Sequence, residues 1–258
     1  MSDTANVGSA AGRLAYGIYA WSALIIWLIP ALALLAVIRR QETRRRVTRW
    51  FARAFFLSIG SPIRVDGVTT MPESACVVVA NHASYLDGMI LTAALPARFT
   101  FVIKQEMARF PLAGFLLRRI GSEFVDRDDG LQKNRVTRRL YKAAESGDAL
   151  AFFPEGGFGA APGLRRFEPG AFGMAWRAGL PVVPVVIAGS RAKLPSDVWL
   201  PVPGPLSVSV GEPIDPNRHG SADSLMTASR NAILARLGEP DLAENRVRAG
   251  SQRPDDDS

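Results

Sequence analysis

Two histidines, His82 and His219, are the only side chains in this sequence that titrate near neutral pH without help. His219 lies in Pro216-Asn217-Arg218-His219-Gly220, a turn-like linker, and reads as a surface residue. His82 lies in Asn81-His82-Ala83-Ser84-Tyr85-Leu86-Asp87, directly after the apolar run Val77 to Ala80 and before a segment of helical character. An aspartate five residues on can turn back across a strand-to-helix corner and accept a hydrogen bond from the imidazole. That bond fixes the tautomer and stabilises the imidazolium formed when the other ring nitrogen takes a proton, which is what activation of an alcohol requires. The bland alternative is that Asn81, Ser84 and Asp87 only cap a turn and a helix around a satisfied histidine.

Three further stretches carry polar residues at apolar strand ends. Lys104-Gln105-Glu106-Met107 follows the run from Phe99, and the region continues through Pro111 and Gly114 to Phe124-Val125-Asp126-Arg127. Phe153-Pro154-Glu155-Gly156 ends the very apolar run from Ala149, and Gly163-Leu164-Arg165-Arg166 follows in the next loop. A guanidinium such as Arg127 can hold a phosphate through two parallel hydrogen bonds, or pair with Asp126, Asp128 or Asp129 at the surface. Glu155 and Gly156 form either a strand-ending turn or part of a site. Leu180-Pro181-Val182-Val183-Pro184-Val185-Val186 reads as a buried strand with a proline-constrained start.

Taken in this order, Asn81-His82-x4-Asp87 and the three later blocks resemble the motifs of the PlsC-type glycerophospholipid acyltransferase family over roughly residues 60 to 215. The resemblance implies transfer of a fatty acyl group from acyl-CoA or acyl carrier protein to a lysophospholipid hydroxyl, with no other cofactor. It implies His82 and Asp87 as the catalytic pair, and Lys104, Arg127, Glu155, Gly156, Arg165 and Arg166 as acceptor-binding residues. The first acceptor it suggests is 1-acyl-sn-glycerol-3-phosphate. The sequence departs from the pattern at one place: Gly156-Gly157-Phe158 stands where relatives continue Gly-Thr-Arg. Arg165 or Arg166 can supply that charge from the same loop, and lysophosphatidylethanolamine or a lyso-ornithine lipid is also an allowed acceptor. A thioesterase using the same histidine and aspartate, or a lipid-binding protein without turnover, is the reading from another class; no Gly-x-Ser-x-Gly elbow is present.

These residues need a scaffold that brings strand ends together. Short valine- and phenylalanine-rich runs predict strands at Cys76–Ala80, Phe99–Lys104, Glu123–Asp126, Ala149–Phe153, Val182–Ala188 and Leu206–Val210. Helical segments are expected near Leu86–Leu95, Met107–Arg119, Leu131–Ser146, Ala171–Ala178 and Ala222–Leu237. The alternation predicts an α/β fold with a mixed, largely parallel sheet covered by helices, as in glycerol-3-phosphate acyltransferase-like proteins, occupying residues 61–240.

Ahead of that domain, Ala15 to Ile38 carries no charge and is long enough to cross a bilayer. Pro30 could leave it a single helix or split it into a hairpin. A cleaved signal with small residues at Ala31 and Ala33 is the competing reading, opposed by the arginines that follow. Eight arginines between Arg39 and Arg64 against Glu42 alone match the whole chain's net charge of +7. Charge so concentrated argues against a nucleic-acid face and for a basic belt beside membrane lipids or an acidic carrier protein. Residues 13–60 are therefore expected to form a membrane anchor and a basic amphipathic helix, or else a core helix with a solvated arginine face. Positive-inside logic puts the catalytic domain on the cytoplasmic side of the inner membrane. Residues 1–12 and 241–258 read as loose tails. Cys76 is the single cysteine, which excludes an internal disulfide and a cysteine-based metal site.

Overall fold

The computed structural model describes residues 10–125, 141 and 148–243. Of the expected loose tails, residues 1–9 and 244–258 lie outside the described residues, as do Arg127 and all but Tyr141 of the helix expected at Leu131–Ser146; Ala10, Ala11 and Gly12 instead open the first helix, and Asp241 is held by Arg230.

Among the described residues one seven-stranded sheet runs in the order β1 (Ile63–Asp66), β7 (Leu206–Val210), β6 (Val182–Ala188), β2 (Val77–Ala80), β5 (Ala149–Phe152), β3 (Phe99–Lys104), β4 (Glu123–Val125). Every neighbouring pair is parallel except β6 with β7. The central strand β2 is buried along its whole length because both of its faces are covered. Val78 and Ala80 face a core shared with helices α1 (Ala10–Val37), α2 (Gln41–Ser58) and α3 (Asp87–Ala94). Val77 and Val79 face a second core with α5 (Gly170–Ala178) and α7 (Ala222–Leu237). Alternation of side chains along an extended strand divides the two sets. A short α4 (Pro111–Arg119) and the single-turn α6 (Ser190–Lys193) complete the helices used below.

The chain's first helix is continuous. Pro30 lies inside α1 without splitting it, so of the two alternatives left open by the proline the single helix is the one that forms. The chain turns back at residues 38–40 instead, and α2 runs antiparallel along α1. Tyr16 and Tyr19 donate to the carbonyls of Ile59 and Ser58, and Trp27 packs edge-on to Trp50 and Phe51. α1 is long and apolar enough to cross a membrane, yet one stripe of it, Gly17, Ala20, Ala23, Ala31 and Leu35, is buried against protein.

The arginine cluster also differs from a simple lipid-facing belt. α2 is a core helix on one side: Ala52, Phe55 and Phe56 are buried beneath it. Arg45 is buried as well and donates to the carbonyls of Ile120 and Arg98 and to the Thr100 hydroxyl. Arg44 and Arg119 converge on the C-terminal end of α1. Arg119 reaches the carbonyls of Leu35, Ala36 and Ile38, and Arg44 that of Ile38. A helix leaves its last carbonyls unpaired and carries partial negative charge there; two guanidiniums meet both needs. Arg46 and Arg53 remain exposed, beside Trp50 and Leu57.

Candidate active site

Parallel neighbours in a sheet end on the same edge, and three of the sequence motifs are strand ends. His82 follows β2, Glu155 follows β5 and Lys104 closes β3; these strands are adjacent in the order β2, β5, β3. The sheet therefore gathers, on its carboxyl edge, residues that lie up to 73 positions apart, at the place where open α/β sheets bind ligands.

His82 and Asp87 form the expected pair. The ring Nδ1 lies 2.9 Å from Asp87 Oδ2, with Asp87 fully buried and the histidine side chain 18% exposed. The same Asp87 oxygen accepts the backbone N–H groups of Ala83 at 2.6 Å and Ser84 at 2.8 Å. Three donors converging on one oxygen suit an acceptor-only group, a carboxylate. With Asp87 accepting from Nδ1, the neutral imidazole carries its proton there and leaves the Nε2 lone pair free, which is the form of a general base.

The loop that holds His82 is tied at both ends. The Asn81 amide donates to the Ile187 carbonyl at 3.0 Å and accepts the Ile187 N–H at 2.7 Å, sealing the end of β2 to β6. Ser84 donates to the Leu194 carbonyl at 2.8 Å. Beyond the local capping that their types allow, Asn81 and Ser84 are braces to elements more than a hundred residues away. Asn81 opposite a buried strand end carried no readable signal of its partner.

Glu155 is 6% exposed and works through backbone. Its Oε1 accepts the His82 N–H at 2.6 Å and its Oε2 the Arg165 N–H at 2.9 Å. The side chain thus clasps the histidine loop to the arginine segment. Burial pushes its carboxyl up to about 7, against the pull of those two hydrogen bonds and of the Arg165 and Arg191 charges. Gly156 has a φ of 71°, which only glycine adopts without strain, so its place in the motif follows from the turn itself.

Cationic groups gather beside this clasp. A methyl group on Gly157 would lie 3.8 Å from both Arg165 Nη1 and Lys104 Nζ, so the two cations converge on one glycine. Arg166 is exposed on the same segment, and no hydrogen bond or ion pair joins it to His82, Glu155 or Lys104. Arg191, unremarked in the sequence, pairs with Glu239 and donates to the Gly159 carbonyl at 2.7 Å, fixing the same loop. Phe158 occupies the place of the missing arginine. Its ring meets the His82 imidazole edge-on at 4.4 Å between centroids, while Phe153 stacks on the same imidazole at 4.2 Å. Tyr85, 68% exposed, packs edge-on to Phe158 in turn. His219 stands apart on the linker before α7, beside Ser224.

Comparison with known proteins agrees with this geometry. A family model described as Acyltransferase matches residues 62–188. Over 152 residues the chain is 34% identical to the lyso-ornithine lipid O-acyltransferase of Pseudomonas aeruginosa, covering 59% of this chain and 57% of that one. It is 28% identical over 167 residues to the 1-acyl-sn-glycerol-3-phosphate acyltransferase of Neisseria meningitidis, covering 62% and 65%. The chain thus spans between about half and two thirds of the length of these two relatives. The crystal structure of the 1-acyl-sn-glycerophosphate acyltransferase PlsC from Thermotoga maritima superposes with a TM-score of 0.72 at 22% identity, over 94% of this chain and 98% of that one, and shows the same fold. The matched region carries a His-Asp pair, its aspartate buried, on the carboxyl edge of its central strand, and residues 62–188 are a domain of the Acyltransferase family.

Proposed function

We propose that this protein transfers a fatty acyl group from a thioester, acyl-CoA or acyl carrier protein, to the free hydroxyl of a lysophospholipid. The observation that carries this reading is the 2.9 Å pairing of His82 Nδ1 with buried Asp87, which leaves Nε2 as the basic atom. Nε2 takes the acceptor's hydroxyl proton as the oxygen attacks the thioester carbonyl carbon. The carbon–sulfur bond breaks, and the departing sulfur takes the proton from the imidazolium. Asp87 keeps the imidazole in its working tautomer and offsets its transient charge. No acyl-enzyme intermediate is needed, because the substrate supplies the hydroxyl.

Lys104 and Arg165 are near enough for one phosphate group to touch both, which supports 1-acyl-sn-glycerol-3-phosphate as the first acceptor and phosphatidic acid as product. Arg165 then stands in for the arginine that Phe158 replaces. A second acceptor class is favoured by a specific observation: Phe158 lays an aromatic ring, where a cation is usual, against the reacting histidine. A lysolipid without a phosphate monoester, such as a lyso-ornithine lipid, suits that ring better. Hydrolysis of the thioester is the less favoured chemistry, since both named relatives are acyltransferases.

The anchor supports a membrane substrate. α1 touches the domain near both ends, at Leu200 against Gly17 and at Arg119 against Leu35, so a perpendicular span would carry charged domain residues through about 25 Å of hydrocarbon. We place the α1–α2 hairpin in one leaflet, with Ile18, Ile25, Ile26 and Ile29 facing lipid and the exposed arginines at the headgroups. The cytoplasmic face of the inner membrane is where acyl thioesters would be supplied.

The test is product analysis by mass spectrometry with purified protein, an acyl thioester and a panel of lysolipids. Wild type should form a diacyl lipid, and His82→Ala should lose it by about a hundredfold to ten-thousandfold. Thioester turnover at full rate without any lysolipid would instead establish the hydrolase.

A further inference from the structure

The segment between β6 and β7 carries an unusual surface residue. Trp199 is 80% exposed, and its neighbour Val198 is 45% exposed. An exposed tryptophan on a loose loop would mean little, but this loop is built in. The Trp21 indole donates to the Trp199 carbonyl at 3.0 Å, and the two rings lie 6.2 Å apart. Leu200 packs so closely on α1 that a methyl group on Gly17 would stand 2.7 Å from its Cδ2. Behind it, the Val202 N–H donates to the Lys193 carbonyl, while the buried Lys193 ammonium donates to the Val202 carbonyl, the Ser61 hydroxyl and the Tyr16 hydroxyl. Trp199 is therefore held outward on a braced loop, not left out by disorder.

Its setting identifies the occupant. The loop docks on α1 next to Leu14 and Ile18, which are 50% and 57% exposed, and the apolar surface continues through Ile25, Ile26 and Ile29. Contiguous apolar surface of this extent marks an interaction site. The exposed arginines of the hairpin suit anionic headgroups, and tryptophan is the residue favoured at the boundary between headgroups and acyl chains. From these observations we propose that the Pro195–Pro201 loop is a second lipid-contacting element, with Trp199 inserted into the bilayer interface beside α1. This rests on the reading that α1 lies in the membrane surface. It also gives the contact a purpose. Leu194, which accepts the Ser84 hydroxyl from the histidine loop, is five residues from Trp199, a reach of at most about 18 Å. Insertion of Trp199 sets the height of His82 above the lipid.

The test uses the full chain bound to vesicles of phosphatidylethanolamine and phosphatidylglycerol containing a phosphatidylcholine brominated high on its acyl chains. The emission of Trp199 is obtained by subtracting the spectrum of Trp199→Phe from that of wild type. It should shift to the blue on binding, be quenched by the brominated lipid and become shielded from aqueous acrylamide. Trp199→Ala should weaken vesicle partition about tenfold, while Trp176→Ala, on α5, should leave it unchanged. Emission that stays open to acrylamide, with partition unaltered in Trp199→Ala, overturns the proposal. So does a detergent-solubilised dimer that Trp199→Ala dissociates, which would make a second copy of the chain the occupant. If wild type fails to bind vesicles, the membrane reading falls and the loop with it; vesicle binding with lipid-quenched Trp199 but no acyl transfer leaves the inference standing and removes only the proposed chemistry.

Discussion

Glu155→Gln separates the energetic cost of the site from its chemistry. In the unfolded chain the Glu155 carboxyl titrates at 4.5, and in the folded protein burial raises it to about 7. Between those values the native state holds a proton that the unfolded state has lost. Stability contributed by the protonated side chain is thus fully present below 4.5 and is lost as pH rises through about 7. At roughly 1.36 kcal/mol per pH unit, that interval amounts to about 3 kcal/mol that wild type forfeits between pH 4.5 and pH 8. Glutamine does not titrate. It can still accept the His82 N–H, but its amide would face the Arg165 N–H donor to donor, a loss of about 1–3 kcal/mol that does not vary with pH. The measurement is the thermal midpoint of both proteins across this range in one detergent. The wild-type midpoint should fall relative to that of Glu155→Gln by several degrees as pH rises from 4.5 to 8. Parallel curves, or a wild type that gains on the variant with rising pH, would refute the assignment of a raised carboxyl to this clasp.

The other expectations bear on substrate and fold. Asp87→Asn should lower kcat about a hundredfold to ten-thousandfold, because the asparagine amide can present a donor to Nδ1 and favour the tautomer whose Nε2 is protonated; the readout is initial rate with KM determined separately. Arg165→Ala and Lys104→Ala should each raise KM for a phosphate-bearing lysolipid about tenfold, with less effect on one lacking the phosphate monoester. Phe158→Arg should shift the ratio of kcat/KM values between those two acceptors towards the phosphate-bearing one. Lys193→Met removes every donor that reaches Tyr16, Ser61 and Val202 from this ammonium, and the unpaired polar groups should lower the thermal midpoint by several degrees.

Much of the scaffold was legible because its strands write themselves as short β-branched and aromatic runs, uninterrupted where both faces are buried, as at Val182–Ala188, and alternating where one is, as at Leu206–Val210. The strands expected at Phe99–Lys104, Val182–Ala188 and Leu206–Val210 have those bounds, and so does the helix Ala222–Leu237. β1, Ile63–Asp66, was not anticipated: Ile-Arg-Val-Asp alternates for only four residues at the sheet's edge, too short a period to stand out. The stretch expected as a helix from Met107 breaks into a 3-10 turn ending at Arg109 and α4 from Pro111, where the proline has no N–H to continue the first segment. The His82–Asp87 pair was readable because both partners belong to one local turn. Glu155 could be chosen but not understood, since its partners are backbone groups of His82 and Arg165 that only the sheet brings together. The arginines were legible in place but not in partner for the same reason: charge density shows where they are, while Arg44 donates to the Arg119 carbonyl and Arg45 to those of Ile120 and Arg98, all contributed by residues far along the chain.

The contacts that seat α1 impose an order of events during synthesis. Tyr16 waits for Lys193, 177 residues later, Trp21 for Trp199, 178 residues later, and Leu35 for Arg119, 84 residues later. At about 5–20 residues per second, Arg119 is made roughly 4–17 s after Leu35, and Lys193 roughly 9–35 s after Tyr16. Early in that interval α1 has α2 as its neighbour but lacks these braces from the rest of the domain. On the membrane reading proposed above, lipid covers the exposed isoleucines of α1 during this interval, and the bilayer joins α2 as an early folding partner of the helix.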